Sequence, residues 1–246
     1  MGTEDLNKAF LSSIYRKLEL AANQKSIDEA GNIIAGSLEK NGWIYAFGTG
    51  HSHMMAEEIF YRAGGLARVR PILHPKLMLH EDASASTDLE REEGKAKDYL
   101  GGYQMTNKDV ILIASNSGRN AVTIDLALLA KAKKGKIIAL TSLNHSKSVE
   151  SRHTSGLKLF QLADVVLDNF GEIGDTSITL QKSNIRTSPS STIVGSFILN
   201  LVITKAIELL ISKGLSPEVF QSSNLDSGGA HNENLINKYK SKVKGL

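Results

Sequence analysis

The fold of this chain is decided by the stretch Val110-Ile-Leu-Ile-Ala-Ser-Asn-Ser-Gly-Arg-Asn120. Its first five residues are apolar and rich in β-branched side chains, a run too short for a helix and typical of a strand buried on both faces. Small polar residues from Ser115 to Gly118 then interrupt the run. Helix-forming residues follow from Asn120 to Lys134, and Gly135 ends them. The stretch therefore predicts a buried strand, a polar turn and a helix.

A unit of this kind can bind an anion. The turn presents free backbone N–H groups, and the N-terminus of the helix adds partial positive charge at the same point. The hydroxyls of Ser115 and Ser117 supply two further donors, and Gly118 lets the backbone approach a ligand closely. The pattern predicts a phosphate-binding turn, and an ordinary capped turn without a ligand is the alternative.

The composition is that of a soluble globular protein and excludes several kinds of site. The 246 residues are 41% hydrophobic and 22% charged, and the absence of cysteine excludes disulfides, thiolate metal sites and a cysteine nucleophile. The net charge is +3, and it depends on lysines near the C-terminus, at Lys238, Lys240, Lys242 and Lys244. Because the basic character comes from this end of the chain, no nucleic acid partner is expected.

The sequence has no pattern of a targeting or membrane segment. The N-terminal residues lack the basic and apolar regions of a signal peptide. The longest apolar stretch, residues 193–211, contains Asn200, Lys205 and Glu208, which favours a helix buried by the core or by a partner subunit over a membrane span. We therefore expect a cytoplasmic location and no membrane partner.

Apolar periodicity predicts alternating strands and helices. Residues 1–42 are expected to form two amphipathic helices that belong to the main domain. Predicted strands cover 43–47, 69–73, 110–114, 137–141 and 165–168, and Pro71 in the second indicates an edge position. Predicted helices cover 54–63, 87–100, 120–134, 157–163 and 193–213, with 74–86 irregular and a final basic helix after His231. Thr87 and Glu90 form the capping-box pattern that opens the helix over 87–100.

This alternation predicts an α/β fold with one doubly wound, five-stranded parallel sheet. The sheet and its helices are expected to span residues 43–235, and a basic tail is expected at 236–246. Ligands of such sheets bind at the carboxyl ends of the strands, near the point where the strand order reverses. The turns after the first and third predicted strands are therefore expected to form one site.

The turn after the first strand is rich in glycine but does not fit a nucleotide. Gly48-Thr-Gly-His-Ser52 has His53 at the third glycine position of a dinucleotide motif, and no acidic residue closes the second strand. A Walker pattern is also absent. A single phosphate, bound by hydroxyl and amide groups, fits better than NAD or ATP, and no cofactor is expected. A third set of hydroxyls begins the long apolar helix at Ser190, Ser191 and Thr192.

Together these segments resemble the SIS (sugar isomerase) domain family. The resemblance rests on the turns at 48–52 and 115–120 with Thr123, on the block from Ala163 to Asp175 and on the hydroxyl-rich helix start at 190–192. It covers residues 5–235. It is strongest toward proteins related to phosphoheptose isomerase, and more distant toward N-acetylmuramic acid 6-phosphate etherase.

The resemblance implies a flavodoxin-like sheet, a homodimer or homotetramer with shared active sites, and a phosphorylated sugar as ligand. It implies that Ser115, Ser117 and the helix start near Asn120 bind the phosphate, whereas Gly50 and Ser52 face the sugar. The predicted binding residues are Gly50, His51, Ser52, Ser115, Asn116, Ser117, Gly118, Asn120, Ser190, Ser191 and Thr192.

Aldose–ketose isomerisation needs a base that moves a proton between adjacent carbons, and often a histidine that opens the ring. Glu57 and Glu58 follow the glycine-rich turn on its helix, as a similar pair does in phosphoheptose isomerase, and Glu81 is a rival base. His231 matches a late histidine that related isomerases often take from a neighbouring subunit. Each of these residues is alternatively a solvated surface side chain. His51 and His53 have poor spacing for two metal ligands, and no metal is expected.

Three functions fit these observations. The first is an isomerase of a phosphorylated sugar or amino sugar, the second is a non-catalytic sugar-phosphate sensor, and the third is a lyase of a sugar ether. Residues 1–42 are too few and too weakly basic for a separate DNA-binding domain, which argues against a transcription regulator.

Overall fold

The computed structural model describes residues 3–100, 102–180, 183–225 and 228–246. The helices are α1 (Thr3–Ala22), α2 (Ser26–Glu39), α3 (Met54–Glu58), α4 (Leu79–Leu89), α5 (Ala96–Tyr99), α6 (Ala121–Ala132), α7 (Leu143–Lys147), α8 (Leu159–Leu162), α9 (Ser191–Ser212) and α10 (Gly228–Tyr239). The strands are β1 (Ile44–Gly48), β2 (Val69–Ile72), β3 (Val110–Ala114), β4 (Lys136–Thr141), β5 (Val165–Asp168), β6 (Thr176–Leu180) and β7 (Ile185–Pro189).

A five-stranded parallel sheet forms the centre of the fold, in the order β2-β1-β3-β4-β5. This confirms the predicted doubly wound α/β architecture. Successive residues of β3 point to opposite faces, and both sets are buried, as the apolar run predicted. Pro71 lies in β2 at the edge of the sheet, because a proline has no N–H for a second neighbouring strand.

Helices cover both faces of this sheet. The first core contains residues of α2, α3 and α9, and the second contains residues of α5, α6 and α8. Within the described ranges, α9 is the one helix with the length and hydropathy of a membrane span. Eight of its residues are buried in the protein, whereas Ile193 and Ile211 are 44% and 59% exposed. Packing against the core therefore explains most of its apolar composition.

The segment after β2 differs from the prediction. Residues 74–86 were expected to be irregular and 87–100 to form one helix, but α4 covers Leu79–Leu89 and a separate α5 covers Ala96–Tyr99. The backbone of Asp82 is non-helical, so α4 is kinked, and Gly94 adopts a positive φ between the two helices. The start of α4 packs on the turn at 75–77, where Ser86 Oγ donates to the carbonyl of Leu77. A tertiary contact of this kind does not require apolar periodicity, so no pattern in the sequence indicated a helix at 79–89.

Three other boundaries also differ. Helix α3 ends at Glu58 rather than near residue 63, and Tyr61 beyond it has a positive φ. The antiparallel hairpin of β6 and β7 was not predicted, because its strands are short and nearly all of their residues are exposed or half-exposed. His231 was expected in a loop but lies inside α10. The basic segment after residue 236 includes the end of α10, and its Val243 is buried against the rest of the chain.

Candidate functional site

A cleft opens at the carboxyl end of the sheet, beside the β1–β3 pair where the strand order reverses. Such a switch point is where open α/β sheets bind ligands. The turns after β1 and β3, the ends of β4 and β5 and the start of α9 all contribute to it. Its lining consists of His51, Ser52, Met55, Ala114, Ser115, Asn116, Leu140, Asn169, Ser191 and Thr192.

The turn from Ser115 to Asn120 contributes Ser115 and Asn116 to the lining of this cleft and then leads into α6. Its curvature is fixed by a hydrogen bond from the Gly118 N–H to Ser115 Oγ, 3.2 Å long. Among the residues that the structure describes, the N–H groups of Ser117, Arg119 and Asn120 donate no hydrogen bond, and neither does the Ser117 hydroxyl. We call these four donors the cradle. Free backbone N–H groups at a helix N-terminus are a common anion-binding arrangement.

Gly118 is required by the shape of the turn. Its φ of +58° lies in the left-handed region, which strains any residue with a Cβ atom. A Cβ atom here would also lie 3.1 Å from Ser146 Oγ and 3.2 Å from the Cβ atom of Leu159. The glycine therefore lets the cradle pack closely on α7 and α8.

Two asparagines form the floor of the cleft. Asn169 Nδ2 donates to Asn116 Oδ1 over 2.8 Å, and the Asn116 carbonyl accepts from Thr141 Oγ1 over 3.0 Å. These bonds tie the ends of β3, β4 and β5 together. Sequence reasoning missed Asn169; its one local signal is its position directly after a strand of the parallel sheet.

The glycine-rich turn after β1 forms the facing wall. Gly50 has a φ of +54°, and a Cβ atom on Gly48 would lie 2.2 Å from the carbonyl oxygen of Ser52. The turn therefore folds back on itself and brings His51 and Ser52 into the cleft. His53 points away from the lining, with Nδ1 hydrogen-bonded to the Gly50 carbonyl.

Glu90 connects the two walls and was not foreseen as a site residue. Its Oε2 accepts a 2.5 Å hydrogen bond from Thr49 Oγ1, and its carbonyl accepts from the N–H of Val122 in α6. Burial raises the pKa of the Glu90 carboxyl, and the Thr49 bond, Arg91 and Arg152 oppose that rise. The sequence placed this residue in a capping box, and only the fold brings it beside residue 49.

The start of α9 presents hydroxyl groups to the cleft. Asp175 accepts from the N–H groups of Ser190 and Ser191 at 3.3 and 3.0 Å, and also from the Ser191 hydroxyl. Ser190 is fully buried and accepts from Lys17 Nζ at 3.0 Å, so it supports the cleft without lining it. Ser191 and Thr192 belong to the lining.

The remaining predicted binding residues, Gly50, Ser117, Gly118 and Asn120, lie in the same two turns but outside the lining of the cleft. The side chain of Asn120 does not cap α6, and its Oδ1 accepts from Arg152 Nη1 at 2.9 Å. The structure thus brings the residues predicted from 50 to 52, from 115 to 120 and from 190 to 192 to one edge of the sheet.

The four predicted catalytic residues lie outside the lining of the cleft. Glu57, on α3, has Oε1 3.8 Å from His53 Nε2. Glu58 accepts from Arg62 and from Asn200 Nδ2. Glu81 is exposed, 3.8 Å from His80 Nε2. His231 is exposed on α10, and its Nε2 is 2.8 Å from the carbonyl of Val219.

The described ranges contain no group of three or more histidine, aspartate or glutamate side chains that are placed to hold a metal ion. The polar groups of the cleft are hydroxyls, amides, the His51 imidazole and backbone N–H donors, which suit an anionic and hydroxylated ligand.

Comparison with known proteins identifies relatives of this fold. Residues 9–142 match the family model of the SIS domain. A UPF0309 protein from Halalkalibacterium halodurans is 45% identical over 216 residues, which cover 88% of this chain and 89% of that protein.

Two solved structures extend the comparison. Phosphoheptose isomerase GmhA from Neisseria gonorrhoeae has a TM-score of 0.52 and 18% identity, covering 86% of this chain and 100% of that chain. The Vibrio vulnificus NanR protein complexed with ManNAc-6P has a TM-score of 0.51 and 18% identity, covering 96% of this chain and 70% of that chain. At these identities the two structures establish a shared fold, in agreement with the resemblance inferred from the two turns.

Proposed function

The chain belongs to the SIS domain family, and from that premise we propose that it binds a phosphorylated sugar in this cleft and isomerises it between aldose and ketose. The observation that carries the proposal is the cradle. Its free N–H groups and the Ser117 hydroxyl offer hydrogen bonds to the terminal oxygens of a phosphate, and the dipole of α6 favours the negative charge. The phosphosugar ligand of NanR, a protein with the same fold, supports this choice of ligand.

The sugar then extends from the cradle toward the glycine-rich turn. His51 and Ser52 lie on that side of the cleft, and Thr192 lies at the start of α9. The hydroxyls of Ser52 and Thr192 donate no hydrogen bond within the described residues and are available for sugar hydroxyls. We assign no cofactor or metal to this site.

Isomerisation moves one proton from C2 of the aldose to C1 of the ketose, through an enediol, and a base takes and returns this proton. We assign the base to Glu57. The Glu58 carboxylate is engaged by Arg62 and Asn200, and Glu81 pairs with His80 on the surface. Glu57 lies 3.8 Å from His53, whose ring is hydrogen-bonded to the Gly50 carbonyl, so it is the carboxylate of the three whose partner is tied to the glycine-rich turn.

His231 of the same chain is bonded to Val219 and lies outside the cleft lining. For this residue to open the sugar ring, a second copy must bring it to the cleft. We therefore propose a homodimer or homotetramer. Leu11 and Tyr15, one turn apart on α1, are 68% and 67% exposed, an apolar pair that a second copy would cover. We expect this assembly to act in the cytoplasm.

One observation favours a second function, that of a sugar-phosphate sensor. The lining contains hydroxyls, amides and one imidazole but no carboxylate. Binding without catalysis needs no base, so a sensor accounts for the lining as it stands.

A screen of sugar phosphates by thermal shift tests the proposed binding, because a ligand that binds only the folded state raises the Tm. Incubation of each hit in D₂O then separates the two functions. An isomerase introduces deuterium at the carbon next to the carbonyl and forms product, whereas a sensor does neither. A panel with no hit would contradict both.

A further inference from the structure

Three buried polar atoms without hydrogen-bond partners lie on the side of the cradle that faces α7. In the part of the chain that the structure describes, Arg119 Nε, His145 Nδ1 and Ser146 Oγ are buried and form no hydrogen bond. Gly118, beside Arg119 in the chain, approaches Ser146 closely, since a Cβ atom there would lie 3.1 Å from Ser146 Oγ, and the Arg119 charge acts on the pKa of His145. Buried polar groups in proteins are nearly always hydrogen-bonded, and an unmet donor beside a ligand cleft indicates a missing acceptor.

We call the group of Arg119 Nε, His145 Nδ1 and Ser146 Oγ the corner. No carboxylate of the described chain neutralises it. The Arg119 guanidinium has no hydrogen bond or ion pair among the described residues. Asp175, the acidic group that acts on His145, already accepts from Ser190 and Ser191. Burial lowers the pKa of His145, Asp175 opposes this shift and the Arg119 charge adds to it. The corner therefore holds a fixed positive charge next to a histidine that resists protonation.

The cradle by itself offers a donor to each terminal oxygen of the proposed phosphate. A phosphate monoester has three terminal oxygens, and the cradle offers three free N–H groups and the Ser117 hydroxyl. The Arg119 side chain and the His145 ring are donors in excess of this set. Arg119 and His145 are half-buried, and leaving their buried Nε and Nδ1 atoms without a partner is costly.

We propose that Arg119 and His145 form a second anion-binding subsite beside the cradle, and that the substrate is a sugar phosphate carrying an additional acidic group, such as a carboxylate. The proposal rests on the proposed binding of a sugar phosphate at the cradle. The planar guanidinium of Arg119 matches the two oxygens of a carboxylate. His145 donates through Nδ1–H and fixes the orientation of the group.

The test compares two acyclic six-carbon phosphates that differ only at C1, sorbitol 6-phosphate and 6-phosphogluconate. Isothermal titration calorimetry on the full chain at low salt measures the ratio of their dissociation constants. We expect the wild type to bind 6-phosphogluconate at least about 10-fold more tightly, because a charge-assisted bidentate contact is among the stronger hydrogen-bonding arrangements. Arg119→Gln should bring the ratio close to one.

Lys147→Gln is the matched control, because Lys147 is an exposed cation of the same α7 segment and has no partner in the described chain; its ratio should equal that of the wild type. A second readout avoids substitution altogether. In histidine-selective NMR, 6-phosphogluconate should raise the pKa of His145, and sorbitol 6-phosphate should leave it unchanged.

Equal affinity of the wild type for both compounds overturns the second subsite and leaves the proposed function standing. A preference that survives Arg119→Gln, or an unchanged His145 pKa in the presence of 6-phosphogluconate, also overturns it. Absence of binding by both compounds contradicts the sugar-phosphate cradle and, with it, the subsite.

Discussion

The hydroxyl of Thr49 donates a 2.5 Å hydrogen bond to the half-buried carboxylate of Glu90, and this contact joins the two walls of the cleft. Thr49 belongs to the glycine-rich turn after β1. The carbonyl of Glu90 binds the first turn of α6, directly behind the cradle. One residue from the segment after β2 thus sets the distance between the wall assigned to the sugar and the wall assigned to the phosphate.

The protonation of Glu90 should be visible in the stability of the protein. Because burial raises its pKa in the folded state, Glu90 adds stability below its unfolded pKa, and this stability is lost as the pH rises through the folded pKa. Glu90→Gln stays uncharged and still accepts from Thr49. We expect it to raise the Tm at about pH 8 and to lie closer to the wild type at about pH 4. Equal Tm differences at both pH values would contradict this, and Glu92→Gln is the exposed control.

Removal of the free hydroxyl of the cradle should weaken ligand binding. We expect Ser117→Ala to cost about 1–3 kcal/mol of binding free energy for a sugar phosphate, because it removes a hydrogen bond to a charged group. Calorimetry measures the change. Ser241→Ala, at an exposed serine without a hydrogen bond in the described chain, should bind as the wild type does. An unchanged affinity in a folded Ser117→Ala protein would rule out its role in the cradle.

Substitution by alanine should lower the stability of the fold at Gly118 and raise it at Gly36. Gly118→Ala forces a Cβ atom into a left-handed backbone and toward α7 and α8, and we expect it to cost about 1–2 kcal/mol of stability. Gly36 lies inside α2 with no atom within 4 Å of the added Cβ. Gly36→Ala should therefore stabilise the protein by about 0.5–1 kcal/mol. Urea denaturation of both variants checks the pair, and a stabilising Gly118→Ala would disprove the turn geometry.

Substitutions at the neighbouring carboxylates Glu57 and Glu58 should show that the first acts in catalysis and that the second stabilises the fold. If Glu57 is the base, Glu57→Gln lowers the rate on the order of 10²–10⁴-fold and leaves ligand affinity nearly unchanged. Glu58→Gln removes the charge that Arg62 pairs with and should alter stability more than turnover. Deuterium uptake from D₂O into the sugar measures both. Uptake that persists in Glu57→Gln but stops in Glu81→Gln would move the base to the start of α4.

An added charge on the exposed face of α1 should prevent assembly. We expect light scattering to show a dimer or tetramer for the wild type and a monomer for the double variant Leu11→Asp, Tyr15→Asp. Ser241→Asp adds the same type of charge elsewhere on the surface and should not alter the mass. A monomeric wild type at micromolar concentration would contradict the shared site and the proposed role of His231.

The sequence alone determined the features that depend on local pattern. The apolar run 110–114 predicted a strand with both faces buried, and the small residues after it predicted a turn before a helix, as the structure has them. Pro71 predicted the edge of the sheet, because the missing N–H of a proline is known from the residue type alone. Parallel strands bring their carboxyl ends to one edge, so the meeting of the two turns followed from the alternation of elements.

Tertiary structure decided the features that depend on partners distant in the chain. From the sequence, Glu90 is interpreted as a helix-capping residue and Asn169 as a loop residue. Only the fold shows that Glu90 accepts from Thr49 and that Asn169 donates to Asn116. Contacts with other elements stabilise helix α4 and the hairpin of β6 and β7. Their sequences therefore carry no strong apolar periodicity from which these elements could be predicted. Such contacts set the orientation of a side chain. Residue type and spacing therefore located the cleft, but they did not show which of the nearby carboxylates and cations face it.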